Sequence, residues 1–533
     1  DFMGTARAVK ELVLNEPVQT GGSTITQQVA RNTFLSLERT APRKIKEILL
    51  AIRLERILSK EQILLAYLNM VPFGNGSSGY NVYGIQAAAE GIFDVKNLKD
   101  LHLAQAAYLA GLPKNPSEYS AYDGYGRFDE KGFQRAMERQ KHVLYRMRVV
   151  GAITEDEYRK ALEFDVRSTM AESRPKAYTT YPYLMIEAEL KAAEIFLKMG
   201  NPNLDKRQVD RAEWNRLVNE AREQMLGKGY HIYTTIDKTI YDEMRKIASN
   251  PENFTPDHEE KGVEQVGAIM IDNRTGAILG MIEGRDFQLE QLNHATQMVR
   301  QPGSTMKPLA AYLPAIESGA IQPGSIIDDF PMVLADGSKG YHLPNNWNMR
   351  FMGLVTARYA LNQSLNIPAL YLFNEVVTIP RAWEFVQSLG ITTLTESDYH
   401  ARTGVIGGLE YGTTVEELTN AYSAIPSGGM FRDAYFIERI EDSNGNVIYQ
   451  HEVEPVQVFS PETAFLITDM LKTVITQGTG TSIRSTFQHI NEYQIAGKTG
   501  STQNDYDMWF VGFTPDITVG VWTGYDQPAT VEY

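Results

Sequence analysis

The sequence predicts a multidomain protein, with a mostly helical domain over residues 1–170, an α+β linker module over 171–262 and an α+β domain over 263–533. Three observations carry this. Apolar residues recur at helical spacing through the first part, a strand-like run His231-Ile232-Tyr233-Thr234-Thr235-Ile236 stands in the second, and apolar strands bracket a helical middle in the third. Strands at both ends of one domain suggest a sheet whose first and last strands pair. A length of 533 residues also exceeds one ordinary hydrophobic core, so two or three domains are expected.

In chain order, Arg43 to Leu58 has apolar Ile45, Ile48, Leu49, Ile52 and Leu58 at the spacing of one buried helix face. Helical patterns follow at 61–69, 83–92, 98–110 and 134–150, separated by Gly, Pro and Asn. Thr154 with Glu157 reads as a capping box for a short helix to Phe164. A charged helix is predicted over 205–225. Gly267 to Ile282, with a turn at Asn273-Arg274-Thr275-Gly276, reads as a β-hairpin. Helices are then predicted at 304–318, 355–364, 380–389, 415–425 and 461–475, and strands near 493–496, 508–513 and 517–523.

A net charge of -15 argues against nucleic acid as a partner, since phosphate binding needs basic stripes. With no cysteine, disulfides, thiol nucleophiles and Cys-ligated metals are excluded. No run of 18 apolar residues occurs. The longest uncharged stretch, Gln62 to Ala89, reads as a buried helix with an irregular loop, the alternative being a membrane-touching surface.

The chemistry is concentrated in an ordered triple: Ser304-Thr305-Met306-Lys307, Ser364-Leu365-Asn366 and Lys498-Thr499-Gly500. Ser-x-x-Lys alone is expected about twice by chance at ordinary residue usage. A decoy is present at Ser173-Arg174-Pro175-Lys176, where proline bars a helix. The conjunction is what points to acyl transfer. A serine hydroxyl needs a neighbouring base, and a helix starting at Ser304 puts Lys307 on the same face. Pro308 suits its first turn, and Gly303 permits close backbone approach. Lys307 acts as base if burial and the like charge of Lys498 lower its pKa. Ser364 is placed to relay the proton to a leaving amine, and Asn366 to hold a substrate amide. Lys498, Thr499, Gly500 and Ser501 belong on an edge strand, where backbone pairs with an extended peptide and Lys498 or Thr499 meets its carboxylate. The N–H groups of Ser304 and Ser501 would form the oxyanion hole. No histidine lies in or beside the three motifs, so a Ser-His-Asp arrangement finds no support.

With Arg300-Gln301-Pro302-Gly303, Gly497 and Met508-Trp509-Phe510-Val511-Gly512-Phe513-Thr514-Pro515, these motifs resemble the penicillin-binding transpeptidases from residue 263 onward. The resemblance implies a penicillin-binding/serine β-lactamase-like fold, attack on a D-Ala-D-Ala stem peptide, an acyl-enzyme at Ser304 and transfer to an amine of a neighbouring strand. No cofactor is implied for that step.

Near the amino terminus, Gly21-Gly22-Ser23-Thr24-Ile25-Thr26-Gln27-Gln28 offers donors suited to phosphate and sugar, or simply a helix cap at Ser23 or Thr24. Arg43-Lys44-Ile45-Lys46-Glu47 reads on pattern alone as a solvated face with ion pairs. In order with Ile63-Leu64-Leu65-Ala66-Tyr67-Leu68-Asn69 and Gly84-Ile85-Gln86-Ala87-Ala88-Ala89, these motifs are similar to the lysozyme-like peptidoglycan glycosyltransferase domain of class A penicillin-binding proteins over residues 1–170. That resemblance implies polymerisation of lipid II with loss of undecaprenyl pyrophosphate. Ser23, Thr24, Gln28, Arg31, Arg43 and Lys44 would hold donor phosphates and sugar. Glu47 would assist the leaving pyrophosphate, through a divalent cation, Mg or Mn.

The implied partners are lipid II, nascent glycan strands, stem peptides, β-lactams and other cell-wall synthesis proteins. The implied location is the cell membrane, single-pass, with both catalytic domains extracytoplasmic. The family's Glu-Asp motif, carrying the general base, and its membrane helix would lie before Asp1, and a final helix after Tyr533. The chain is therefore expected to be cut at both ends and, by itself, not to polymerise lipid II. Asp94 stands where the family has Gly. The alternative activity is a serine hydrolase, either a D,D-carboxypeptidase or a β-lactamase.

Overall fold

The structure, a computed structural model, describes residues 23–34, 41–124, 126–173, 177–226, 228–336, 340–487, 489–490 and 492–531. Gly21, Gly22 and most of the Ser173–Lys176 decoy thus lie outside the described residues, although Ser173 itself donates to Gly126 O. The chain divides into two compact units, residues 1–181 and 182–533.

The first unit is mostly helical: α1 (Ile25–Phe34), α2 (Ala41–Ile57), α3 (Lys60–Met70), a small hairpin of β1 (Pro72–Asn75) and β2 (Asn81–Tyr83), α4 (Ile85–Phe93), α5 (Leu103–Gly111), α6 (Glu130–Val149) and α7 (Glu155–Glu163). Side chains cap the helix starts. Ser59 and Gln62 form a capping box on α3, and Thr154 and Glu157 form the predicted one on α7. Each such cap contributes about 1 kcal/mol. The core gathers Phe73, Ile92, Phe93, Tyr108, Leu109 and Leu144. Asp94 ends α4 with φ 57°, the left-handed conformation that glycine adopts freely and that aspartate, with its short polar side chain, tolerates.

Three expectations fail here. The apolar stripe of α2 is not buried, since Ile45, Leu49 and Ile52 are 60%, 62% and 50% exposed. Instead the charged side faces inward, with Glu47 fully buried. Periodicity reports which residues share a face, and the polar cluster described below decides which face turns in. Nor is α3 a buried helix: Leu64 and Leu65 are exposed and only Ile63 is buried. Tyr83, predicted at a helix start, instead ends β2.

The second unit begins with α8 (Pro182–Gly200), α9 (Arg211–Met225), β3 (His231–Thr234) and α10 (Lys238–Ser249). Strand β3 pairs with β11 (Ile437–Glu441), which also pairs with β12 (Val447–Gln450). Residues of the linker module therefore pack as part of this unit.

Its main sheet has five strands, all antiparallel, in the order β14 (Ala496–Ser501), β15 (Asp507–Phe513), β16 (Ile517–Gly524), β4 (Gln265–Asp272), β5 (Ile278–Ile282). The predicted pairing of first and last strands is the β4–β16 contact. Alternation of side chains divides the two faces. Val266, Ala268 and Ile282 pack on Met244 and Ala248 of α10. On the opposite face, Gly520 leaves room for Thr419 of α15 (Val415–Ser423), whose Oγ1 would lie 1.9 Å from an added Cβ.

Between the sheet's two halves in sequence lie β6 (Ile326–Asp329) paired with β9 (Gly353–Thr356), β7 (Leu334–Asp336) paired with β8 (Gly340–His342), β10 (Met430–Phe431) paired with β13 (Val456–Gln457), α12 (Ala357–Asn362), α13 (Asn366–Tyr371), α14 (Ile379–Ser388) and α16 (Pro461–Gln477). The helix predicted at 304–318 is irregular. A 3-10 turn over Gly303–Thr305 leads into a π-helical turn at Pro308–Tyr312, and only Leu313–Glu317 (α11) is α-helical. Two prolines, Pro308 and Pro314, remove donors that a regular helix would use.

Candidate active site

The three serine-site motifs converge at the exposed edge of the sheet. Lys498 to Ser501 lie on β14, the edge strand. Lys307 and Lys498 are both fully buried. Lys307 Nζ donates to Ser364 O at 2.7 Å, Asn366 Oδ1 at 2.7 Å and Ser364 Oγ at 3.3 Å. Lys498 Nζ donates to Ser364 Oγ at 2.8 Å and Thr499 O at 2.7 Å. The Ser364 hydroxyl thus sits between two buried amines. Ser364 itself has φ 54°, a left-handed conformation costing about 1–2 kcal/mol in a non-glycine residue. It follows the end of α12, and its N–H bonds Leu361 O at 3.0 Å.

Ser304 is partly exposed in its 3-10 turn, and no hydrogen bond joins its Oγ to Lys307 Nζ among the described residues. Its loop is pinned from several sides. Trp509 Nε1 donates to Gln301 O at 2.8 Å, Tyr422 OH to Thr305 O at 2.6 Å, and Arg300 Nε pairs with Asp507 at 2.6 Å. Two glycines let this loop touch β14. A Cβ on Gly303 would lie 2.3 Å from Ser501 O, and one on Gly500 3.0 Å from Thr305 N. The backbones of Ser304 and Ser501 are therefore neighbours. Thr499 Oγ1 meets Thr479 Oγ1 at 2.5 Å.

Burial, then the nearby charge of Lys498, holds the Lys307 amine well below its ordinary pKa. Burial brings Lys498 down to about 7. A folded pKa of about 7 against 10.5 unfolded means that the unfolded chain binds more protons between those values. Stability from this group is thus fully present above pH 10.5 and is lost as pH falls through the window to about 7. Thermal melts from pH 7 to 10 test this: Lys498→Met is expected to flatten the rise in melting temperature relative to the parent. An unchanged slope refutes it.

In the amino-terminal unit, Glu47 accepts from Arg43 Nη1 at 2.7 Å and from Lys44 Nζ. Lys44 Nζ also donates to Ser23 Oγ at 2.7 Å and Gln27 Oε1 at 3.3 Å. Thr24 caps α1, its Oγ1 accepting from Gln27 N at 3.2 Å. The structure therefore gathers Ser23, Gln27, Arg43, Lys44 and Glu47, with Thr24 joined to them only through the backbone of Gln27. Among the described residues the side chains of Gln28 and Arg31 make no hydrogen bond to this cluster, Gln28 meeting Thr24 O only through its backbone N–H and Arg31 Nε donating to Asn32 Oδ1 at 3.2 Å.

Comparison with known proteins adds decisive information. The transglycosylase family model matches residues 1–148, and the penicillin binding protein transpeptidase domain model matches 266–527. Over 539 residues the chain is 32% identical to penicillin-binding protein 4 of Bacillus subtilis (strain 168), a match that covers 100% of this chain and 80% of that one. The chain belongs to the class A penicillin-binding proteins.

This penicillin-binding protein is also 34% identical over 537 residues to penicillin-binding protein 1F of the same organism, covering 99% of its own length and 66% of the relative's. Its fold is similar to that of the crystal structure of penicillin-binding protein 1A from Haemophilus influenzae. That similarity has a TM-score of 0.61 at 19% identity, covers 96% of this chain and 85% of that one, and bears on fold alone. The penicillin-binding protein is a bifunctional peptidoglycan synthase, with glycosyltransferase and D,D-transpeptidase domains and a β-lactam target site. The transglycosylase match separates it from a free-standing serine hydrolase.

Sequence reasoning passed over Gln27, Asp329, Asn346, Tyr422 and Thr479. Gln27 stood in a motif beside the chosen Gln28, and helix phase turns Gln27 toward Lys44. The others carry no periodic signal, because their roles depend on which segments the fold brings together.

Proposed function

We propose that Ser304 is the transpeptidase nucleophile, Lys307 its base and Ser364 the proton relay. The observation that carries this is the Ser364 hydroxyl held between the Nζ atoms of Lys307 and Lys498, at 3.3 and 2.8 Å. A neutral amine has two N–H groups and one lone pair. The two 2.7 Å bonds of Lys307, to Ser364 O and Asn366 Oδ1, use both N–H groups. In the neutral amine the 3.3 Å contact with Ser364 Oγ is therefore not a donated bond, and the lone pair there is left for a hydroxyl proton. Donation from Lys498 to Ser364 Oγ leaves the Ser364 proton free to move to the leaving amine. The Ser304 hydroxyl gives its proton to the Lys307 lone pair as Oγ bonds the D-Ala-D-Ala carbonyl carbon, and the N–H groups of Ser304 and Ser501 receive the developing oxyanion. Its collapse breaks the C–N bond to the terminal D-Ala, whose amine leaves with the Ser364 proton while Ser364 takes one back from Lys307. Thr499, Gly500 and Ser501 line the substrate strand along the free edge of β14, and Thr499 Oγ1 meets the terminal carboxylate. Asn366 holds the substrate amide with the part of its side chain not bonded to Lys307 and to Asn345 O.

Mass spectrometry after incubation with a penicillin tests the assignment. A stable adduct on the Ser304 peptide, abolished by Ser304→Ala, is expected. An adduct elsewhere, or none, overturns it, and rapid turnover of the drug would indicate a β-lactamase.

In the amino-terminal domain, Ser23, Thr24, Gln28, Arg31, Arg43 and Lys44 hold the phosphates and sugar of lipid II, and Glu47 assists departure of the pyrophosphate. Support comes from α2 burying Glu47 with Arg43 and Lys44 while leaving its apolar residues outside. The described residues do not fit a divalent cation. Both oxygens of Glu47 already face cationic side chains, and no cluster of three His, Asp or Glu residues exists among the described residues. No step is therefore routed through a metal.

Location at the cell membrane, single-pass and with the catalytic domains outside, belongs to the same proposal, as does association with other cell-wall synthesis proteins. No described helix is long and apolar enough to cross a membrane. The exposed Ile45, Leu49 and Ile52 of α2 support contact with lipid.

A further inference from the structure

Asp329, at the end of β6, is fully buried, and no cation pairs with it among the described residues. Removing a carboxylate from water is costly unless its hydrogen bonds are met. Its partners are specific. Asn346 Nδ2 lies 2.9 Å from each carboxylate oxygen, and Met352 N donates to Oδ2 at 2.7 Å. Asn346 is itself only 1% exposed.

An ionised carboxylate accepts and never donates, so it dictates which end of the Asn346 amide it faces. The Nδ2 end must turn to Asp329, where it also donates to Arg350 O at 2.8 Å. The Oδ1 end is thereby committed to the opposite side. There it accepts from Asn366 N at 2.8 Å and Ile367 N at 3.2 Å, the first two N–H groups of α13. Such N–H groups have no partner within the helix. The neighbouring Asn345 O accepts from Asn366 Nδ2 at 2.7 Å. That leaves Asn366 Oδ1 for Lys307 Nζ, at 2.7 Å. One carboxylate thus orders two amides in sequence and ends at the amine of the acyl-transfer site.

We propose that Asn346 is a positioning residue for acyl transfer, held by Asp329, which sets the place of Asn366 and through it that of Lys307. The inference rests on the assignment of Ser304 and Lys307 as nucleophile and base. It accounts for a buried carboxylate that the reaction itself does not use.

The experiment measures acylation of Ser304 by a fluorescent penicillin across drug concentrations, alongside the melting temperature, for the parent and for Asn346→Ala, Asp329→Asn, Asn346→Asp and the double variant Asp329→Asn/Asn346→Asp. In Asn346→Asp two carboxylates face each other. The double variant restores a donor at 329 and an acceptor at 346 facing Asn366 N, and forfeits only the bond from residue 346 to Arg350 O, which is why recovery is incomplete. Asn346→Ala and Asn346→Asp are expected to lower the limiting acylation rate about 100-fold, with the half-saturating concentration within about threefold of the parent. Asp329→Asn is expected to lose about tenfold, because its amide no longer dictates one orientation.

The double variant is expected to recover to within about tenfold of the parent, a coupling that a merely packing role does not produce. A double variant as slow as the product of the singles overturns the inference, as do single variants that fold and acylate at the parent rate. Failure of the parent to label at Ser304 would instead refute the underlying assignment.

Discussion

Replacing Lys307 by methionine is expected to lower acylation of Ser304 by a penicillin about 10³- to 10⁴-fold, a barrier increase of about 4–5 kcal/mol. The substitution keeps the length of the stem and removes the only buried amine bonded at once to Ser364 O, Ser364 Oγ and Asn366 Oδ1. The effect should also show in the pH profile. Lys307 has its pKa held well below the ordinary lysine value by burial and then by Lys498. It must lose its proton to accept one from a hydroxyl, so the parent rate should fall tenfold per pH unit on the acid side of that pKa. The residual rate of Lys307→Met should lack this limb. Fold is checked by the melting temperature, because removing a buried charge is often neutral or stabilising. A variant that labels within tenfold of the parent, with the same acid limb, would exclude Lys307 as the base.

Gly303→Ala is expected to be nearly as damaging, although it alters no reacting group. Gly303 has φ 54°, where an L side chain costs about 1–2 kcal/mol. The added Cβ would stand 2.3 Å from Ser501 O and 2.8 Å from Ser501 C. Those are backbone atoms of a strand paired along its length with β15, so no rotamer change relieves the contact. On the other side Gly407, at φ 93°, presses on the same residue, with an added Cβ there 2.3 Å from Gly303 Cα. The loop must move away from β14, separating the N–H groups of Ser304 and Ser501. Loss of one oxyanion donor is worth about 10²- to 10³-fold, and that is the expected fall in acylation rate. Unchanged labelling by Gly303→Ala would show that the close approach is not required.

Much of this was legible in the residues. The motif order marked Ser304, Ser364 and Lys498 because each demands a residue type that chance seldom places in sequence. Apolar runs located β4, β5, β15 and β16, with the β4–β5 hairpin and the pairing of first and last strands, since a strand buried on both faces reads as a short continuous apolar run. Boundaries were less legible. The last motif was placed on an edge strand, as β14 is, but a strand was expected near 493–496, whereas β14 spans Ala496–Ser501. Glycine and charged residues hide a strand whose side chains are not apolar.

The amino-terminal helix α2 shows the limit plainly. Its sequence contains both an apolar stripe at Ile45, Leu49 and Ile52 and a charged one at Arg43, Lys44 and Glu47, and periodicity ranks the apolar stripe as the buried one. The fold buries Glu47 and turns Arg43 and Lys44 inward with it, because Ser23 and Gln27 of the preceding segment complete the hydrogen bonds of Lys44.

By itself, then, the sequence marked Ser304, Lys307 and Lys498, the sheet, and a helical region ahead of an α+β one, all properties written in residue type and spacing. Tertiary structure alone decided that Lys307 bonds Ser364 and Asn366 rather than Ser304, that Gly303 lies against Ser501, and that buried Asp329 orders Asn346 and Asn366. The reason is physical. Each of these contacts joins segments far apart in the chain, and a hydrogen bond or a van der Waals contact depends on where the fold puts its atoms.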